Sequence, residues 1–170
     1  MFFFFIFSFC KNQTTINKFH FMVRYINTII VIMISSVSIY PQNCIEGNCI
    51  NGYGHIEYPL GDKYKGSFKN SLMHGEGIYT FSDGSKYTGM FSNNYIHGYG
   101  EVRFINGATY KGAFRNSFMH GDGTLYYPNG SRYIGVFKND LMHGPGSIDW
   151  IDGFVLKGKW ENNQFNKAPD

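Results

Sequence analysis

No acidic residue occurs in the first 40 positions of this chain, and that absence decides how its charge is read. All 12 Asp and Glu lie beyond residue 40, as do 12 of the 15 Lys and Arg, the other three being Lys11, Lys18 and Arg24. The formal charge of +3 therefore belongs to the leading segment, and the rest balances at 12 minus 12. Nucleic-acid binding wants a net basic domain, so nucleic acid drops out of the expected partners. Runs of helix-favouring residues are missing too. The 21 glycines and 19% aromatics point instead to many short strands punctuated by turns. Cysteine is confined to Cys10, Cys44 and Cys49, and the later two lack the companions that a zinc site requires.

Residues 1–40 also lack an apolar run of the ~20 residues a confident membrane span needs. Read from Met22, they carry a short basic region at Arg24, an apolar run at 29–34, and small residues Ser36 and Ser38. This is the layout of a secretory signal peptide, and the expected mature start lies between residues 39 and 43. An uncleaved membrane anchor is the alternative, and the opening MFFFFIFSFC leaves the start site itself open. Export would remove Cys10 and leave Cys44 and Cys49 to pair in an oxidising compartment, whether secreted, periplasmic or in the cell envelope. Two buried free thiols are the other reading of that pair.

A 23-residue block recurs beyond this segment, opened in phase by Tyr64, Tyr87, Tyr110 and Tyr133. A degenerate copy at 41–63 precedes the four full copies at 64–155, and a partial copy with a short tail occupies 156–170. About 125 residues in one array leave little room in this chain for a catalytic domain of ordinary size. Within each copy, positions 1, 3 and 5 (Tyr64, Gly66, Phe68) and 14, 16 and 18 (Gly77, Tyr79, Phe81) alternate with the period of a strand. Position 7 is Asn in every copy from Asn70 to Asn162, and each later break carries Asp-Gly or Asn-Gly, as at Asp83-Gly84. Such residues tolerate the positive φ of tight turns. Each copy is thus expected to be a hairpin with one aromatic face, its glycines at positions 3 and 14 leaving room for neighbouring rings. A lone hairpin is marginal, so the copies must stack. The fold class is all-β, an elongated single-layer antiparallel sheet of stacked hairpins advancing roughly 10 Å per copy.

The Tyr-x-Gly-x-Phe opening, the His-Gly-x-Gly centre and the late Gly of each copy resemble the MORN repeat family. The resemblance implies a MORN-type solenoid that is not itself catalytic and uses no cofactor. It further implies a scaffold for protein partners, self-association or a membrane surface. Where that family often has Gly at position 8 and a basic residue at position 9, this chain has Ser71, Asn94, Ser117 and Asp140, then Leu72, Tyr95, Phe118 and Leu141. The departure weakens the lipid-headgroup reading.

The leading expectation is a non-enzymatic scaffold that binds a protein partner or a second copy. Its candidate surface is the aromatic column Phe68, Phe91, Phe114, Phe137, Trp150 and Trp160, which is mainly core but too thinly covered to close entirely, together with apolar position 9. The alternative is a membrane-surface module using a basic edge of Lys65, Lys69, Lys111, Arg115, Lys138 and Lys157. An accessory subunit to a separately encoded enzyme is a third reading. His74, His97, His120 and His143 stand about 10 Å apart by strand spacing, too far to share a metal, and are expected to hydrogen-bond turn backbone instead. The acidic residues recur by register and do not converge on a site.

Overall fold

The computed structural model describes residues 43–166; segment 1–40, with Cys10 and the expected cleavage point, lies outside the described residues. Twelve strands follow in chain order: β1 Asn43–Gly47, β2 Gly52–Glu57, β3 Lys63–Lys69, β4 Leu72–Thr80, β5 Lys86–Ser92, β6 Tyr95–Arg103, β7 Thr109–Arg115, β8 Phe118–Tyr126, β9 Arg132–Lys138, β10 Leu141–Asp149, β11 Val155–Glu161 and β12 Gln164–Asn166. Each pairs antiparallel with its chain neighbours in one open sheet, so sheet order is chain order. At the usual strand spacing the array is about 50 Å long.

The two kinds of turn divide the sheet's long edges between them. Within a repeat, Asn70-Ser71 both adopt positive φ (51° and 61°), as do Asn93-Asn94, Asn116-Ser117, Asn139-Asp140 and Asn162-Asn163. That is the two-residue type I′ hairpin, whose twist matches the strands it joins. Between repeats the positive φ falls on glycine alone, Gly84 at 92°. The residue before it works differently from the expectation: Asp83 Oδ1 accepts from the Ser85 N–H at 2.7 Å, closing an Asx turn.

The hairpin inside each of the four full repeats carries the same bulge. Gly66 pairs with Gly77 and Phe68 with Met73, so Ser67 alone faces His74, Gly75 and Glu76. The same irregularity recurs opposite Met90, Ala113 and Val136. A bulge of this size leaves the single opposing residue without its ladder bonds. The repeat tyrosine takes up one of them: Tyr64 donates its hydroxyl to the Ser67 carbonyl at 2.8 Å, Tyr87 to Met90 at 3.0 Å, Tyr110 to Ala113 at 2.9 Å and Tyr133 to Val136 at 3.2 Å.

To reach that carbonyl each tyrosine ring lies flat across a pair of glycines. The glycines form an unbroken row through the sheet, Gly54, Gly66, Gly77, Gly89, Gly100, Gly112, Gly123, Gly135, Gly146 and Gly158, each paired with the next. A Cβ on Gly77 would come within 2.5 Å of the Tyr64 ring. Room for rings is therefore what these glycines supply, and the ring belongs to their own repeat. At the two ends other groups replace the tyrosine: the Cys49 sulphur covers Gly54, and the Phe165 ring covers Gly158.

The bulge glycine also sets the ranking of two substitutions. Gly98 has φ +74°, a region costing L residues about 1–2 kcal/mol and more when β-branched. The His97 side chain is exposed and makes no hydrogen bond among the described residues. Gly98→Val is expected to lose about 2 kcal/mol or more, and His97→Gln to stay within about 0.5 kcal/mol of the parent. Urea denaturation of both variants checks the order; equal losses would mean that His97 holds something other than solvent.

Candidate functional site

The aromatic face is closed. Tyr64 meets Phe68 edge-on at 5.1 Å and Phe91 of the next repeat at 4.9 Å, and the pattern continues through Tyr87, Phe114, Tyr110, Phe137 and Tyr133 to Trp160. Edge-to-face pairs of this kind add about 0.5–1.5 kcal/mol each beyond their burial. Phe68, Phe91, Phe114, Phe137 and Trp160 are all buried, and the four repeat tyrosines are sealed completely. The column proposed as partly open is the core itself, because each tyrosine leans over the glycine row into the gap that a thin sheet would otherwise leave. Trp150 stands apart, half-buried against Phe154 at 5.3 Å.

Two sets of polar side chains clasp neighbouring repeats along the edges. At position 8, Asn94 Oδ1 accepts from the Met73 N–H at 2.8 Å, Ser117 Oγ from Ile96, Asp140 Oδ1 from Met119 and Asn163 Oδ1 from Met142. The position-8 N–H returns a bond to the same residue's carbonyl, as from Asn94 to Met73 at 3.0 Å. At position 22, the buried Asp62 accepts from the Ser82 N–H at 2.7 Å and from the Tyr79 hydroxyl at 2.8 Å, and Ser85 Oγ accepts from the Ile105 N–H. The departures at position 8 thus have a structural purpose that the sequence reading missed. The clasp also overturns the expected role of the histidines. The turn N–H they were to satisfy is already given to the preceding repeat, and Nδ1 of His74, His120 and His143 is buried with no hydrogen-bond partner among the described residues.

What remains open is the opposite face. A shallow trough of about 1140 Å³ runs along it over the glycine row, lined by Thr88, Tyr99, Glu101, Lys111, Asp122 and Ile134 among others. Tyr99 is 68% exposed, with Met90 and Ile134 at 40% and 39%. Glu101 bonds both Arg103 and, at 3.0 Å, Lys111. Arg103 first, then Lys111, holds the Glu101 carboxyl below its ordinary range.

The expected basic edge is split in two. Position 2 lies mid-sheet in one cross-strand row, where Thr88 and Ile134 interrupt Lys65, Lys111 and Lys157. Lys65 approaches Glu46 at 3.9 Å, so it and Lys111 are partly neutralised. Position 6 lies at the Asn-turn edge, where Lys69 pairs with Leu72, Arg115 with Phe118 and Lys138 with Leu141. Leu72, Phe118 and Leu141 are half-buried there and Tyr95 is exposed. Cys44 and Cys49 form a disulfide with Cα atoms 6.0 Å apart.

The MORN repeat profile matches residues 64–86, 87–109, 110–132 and 133–155, the boundaries of the four copies. Among solved structures, the chain is similar to the SAS-4 (dCPAP) TCP domain of Drosophila melanogaster in complex with a proline-rich motif of Ana2 (dSTIL). That match has 15% identity and a TM-score of 0.31, covering 72% of this chain and 92% of that one. The TCP10c domain of Drosophila melanogaster Sas-4 matches at 14% identity and TM-score 0.22, covering 70% and 99%. At such scores the likeness carries no inference about binding.

Proposed function

The chain belongs to the MORN repeat family, and from that premise we propose that it is an exported, non-catalytic scaffold that docks a protein partner, or a second copy, on its open face. MORN repeats are in general scaffolds and interaction modules. One observation carries the choice of face. The aromatic side is sealed by its own tyrosines, whereas Tyr99 and Ile134 stand exposed in a trough that runs over the row of glycines, and Met90 is exposed as well. Exposed apolar groups ringed by charge are the anatomy of a docking patch. The Cys44–Cys49 disulfide supports export.

The test is Tyr99→Ser combined with Ile134→Ser. Both side chains are exposed, so the melting temperature is expected to hold. Molar mass by light scattering and cross-linking to partners in the parent extract are expected to report lost association. Unchanged mass and an unchanged partner set would remove this face.

A second reading draws on the Asn-turn edge. There, cations with no ion pair among the described residues alternate with apolar side chains at Lys69 and Leu72, Arg115 and Phe118, Lys138 and Leu141, an arrangement suited to an anionic membrane surface. Arg115→Gln with Lys138→Gln in co-sedimentation with anionic vesicles, over a salt series, separates the two readings, since headgroup binding weakens with salt.

A further inference from the structure

Four equivalent turns join the repeats, and they are natural variants of one another. They read Asp83-Gly84-Ser85, Asn106-Gly107-Ala108, Asn129-Gly130-Ser131 and Asp152-Gly153-Phe154. The first lacks the amide, the second the hydroxyl, and the fourth both. Only the third is an Asn-x-Ser triplet, the acceptor pattern for N-linked oligosaccharide.

Its geometry suits the chemistry. Asn129 is exposed at the tip of the turn. Its Oδ1 accepts from the Ser131 N–H at 3.0 Å and from the Ser131 hydroxyl at 2.6 Å. A backbone N–H can only donate, so the carboxamide is fixed with its oxygen inward and its Nδ2 toward solvent. Among the described residues Nδ2 has no hydrogen-bond partner. In the sibling turn the Ser85 hydroxyl instead accepts from the Ile105 N–H. The Ser131 hydroxyl is thus turned onto the amide that would react.

We propose that Asn129 is a site of N-linked glycosylation. The inference rests on the export reading and applies where the export pathway carries an oligosaccharide transferase. In the transfer, Asn129 Nδ2 bonds to the anomeric carbon of a lipid-pyrophosphate-linked oligosaccharide. The carbon–oxygen bond to the pyrophosphate breaks, the lipid pyrophosphate leaves, and the amide nitrogen gives up one proton to the transferase. An oligosaccharide here would shade the interrepeat-turn edge, where Ile105 and Ile151 are 64% and 79% exposed on either side. The trough face and the Asn-turn edge would stay free for docking.

The full chain, carrying Asn12→Gln to remove its other acceptor triplet, Asn12-Gln13-Thr14, is translated with endoplasmic-reticulum membranes, once with its own N-terminus and once behind a supplied cleavable leader. A single glycan shift is expected, removed by an amidase that leaves Asp at 129. Asn129→Asp and Ser131→Ala are expected to abolish it and Ser131→Thr to keep it. Both knock-outs place at this turn a residue that a sibling turn already carries, Asp83 or Ala108, so they fold. Protease-protected but unshifted protein behind the supplied leader overturns the proposal. So does a shift that survives Asn129→Asp, which would assign the glycan elsewhere. A shift with the supplied leader alone upholds the acceptor and overturns export by the chain's own leader.

Discussion

Gly112→Ala is expected to unfold the centre of the array, although it adds one methyl group. The new Cβ would stand 2.5 Å from the Tyr110 hydroxyl, 2.6 Å from the Gly123 Cα and 2.7 Å from the Asp122 carbonyl oxygen. Two of those three atoms are backbone, and the third belongs to a ring with no exposed surface. Overpacking costs about 1–3 kcal/mol where neighbours can shift; with none free to do so, a loss above about 3 kcal/mol is expected. The Tyr110 ring would have to leave the groove, giving up its bond to Ala113 and its contacts with Phe114 and Phe137. Gly153→Ala supplies the contrast. Its Cβ meets nothing within 4 Å, so only the positive φ is felt, at about 1 kcal/mol. Urea midpoints of the two variants measure the difference. Similar losses would mean that backbone conformation, and not the ring, dictates glycine in this row.

Alkali should melt the protein cooperatively. Burial pushes the hydroxyls of Tyr58 and Tyr133 up to about 12, and those of Tyr64, Tyr79, Tyr87 and Tyr110 higher still, Asp62 adding to the effect at Tyr79. In the unfolded chain each titrates near 10. Below that value both states hold the proton and the stabilisation is fully present. As pH rises from about 10 toward the folded values, the unfolded state loses protons first and binds fewer than the native state, so stability falls. Each phenol contributes up to about 1.4 kcal/mol per pH unit, and six act together. The urea midpoint is expected to be flat between about pH 7 and 9 and to collapse by about pH 11. Tyrosinate absorbance should then appear in one step with the loss of near-ultraviolet circular dichroism. Tyrosines ionising one by one near their free value in a folded protein would contradict the sealed groove.

The repeat period, the hairpins, the face shared by positions 1, 3, 5, 14, 16 and 18, and the positive φ at Asn70 and its equivalents were all legible in the sequence. Each follows from side-chain spacing or from the conformational tolerance of one residue type. The bulge was not. Alternation reports which face a residue occupies and says nothing about three residues opposing one, so His74-Gly75 read as a hairpin centre. Which face stays open was hidden for the same reason: the bulge lets Tyr64 fold down onto Gly77 and close the aromatic side. The clasps at Asn94 and Asp62 were hidden differently, because each reaches about 20 residues along the chain to a backbone N–H that no pattern marks. A sharper signal was available at position 8. Ser71, Asn94, Ser117 and Asp140 differ in type but agree in offering a side-chain acceptor, which a solvated turn does not require.

Because sheet order is chain order, the strands lie across the long axis of the array and tie only to their neighbours. A force applied between the two ends would meet the hydrogen bonds of one strand pair in sequence, opening them like a zipper instead of shearing them together. Such a rod resists side-on load but yields at modest tension, one hairpin after another. Each repeat released, such as 64–86, would pay out roughly 70 Å of chain. An outer half-repeat that peeled away would leave behind the tyrosine groove it had covered, shaped to take it back.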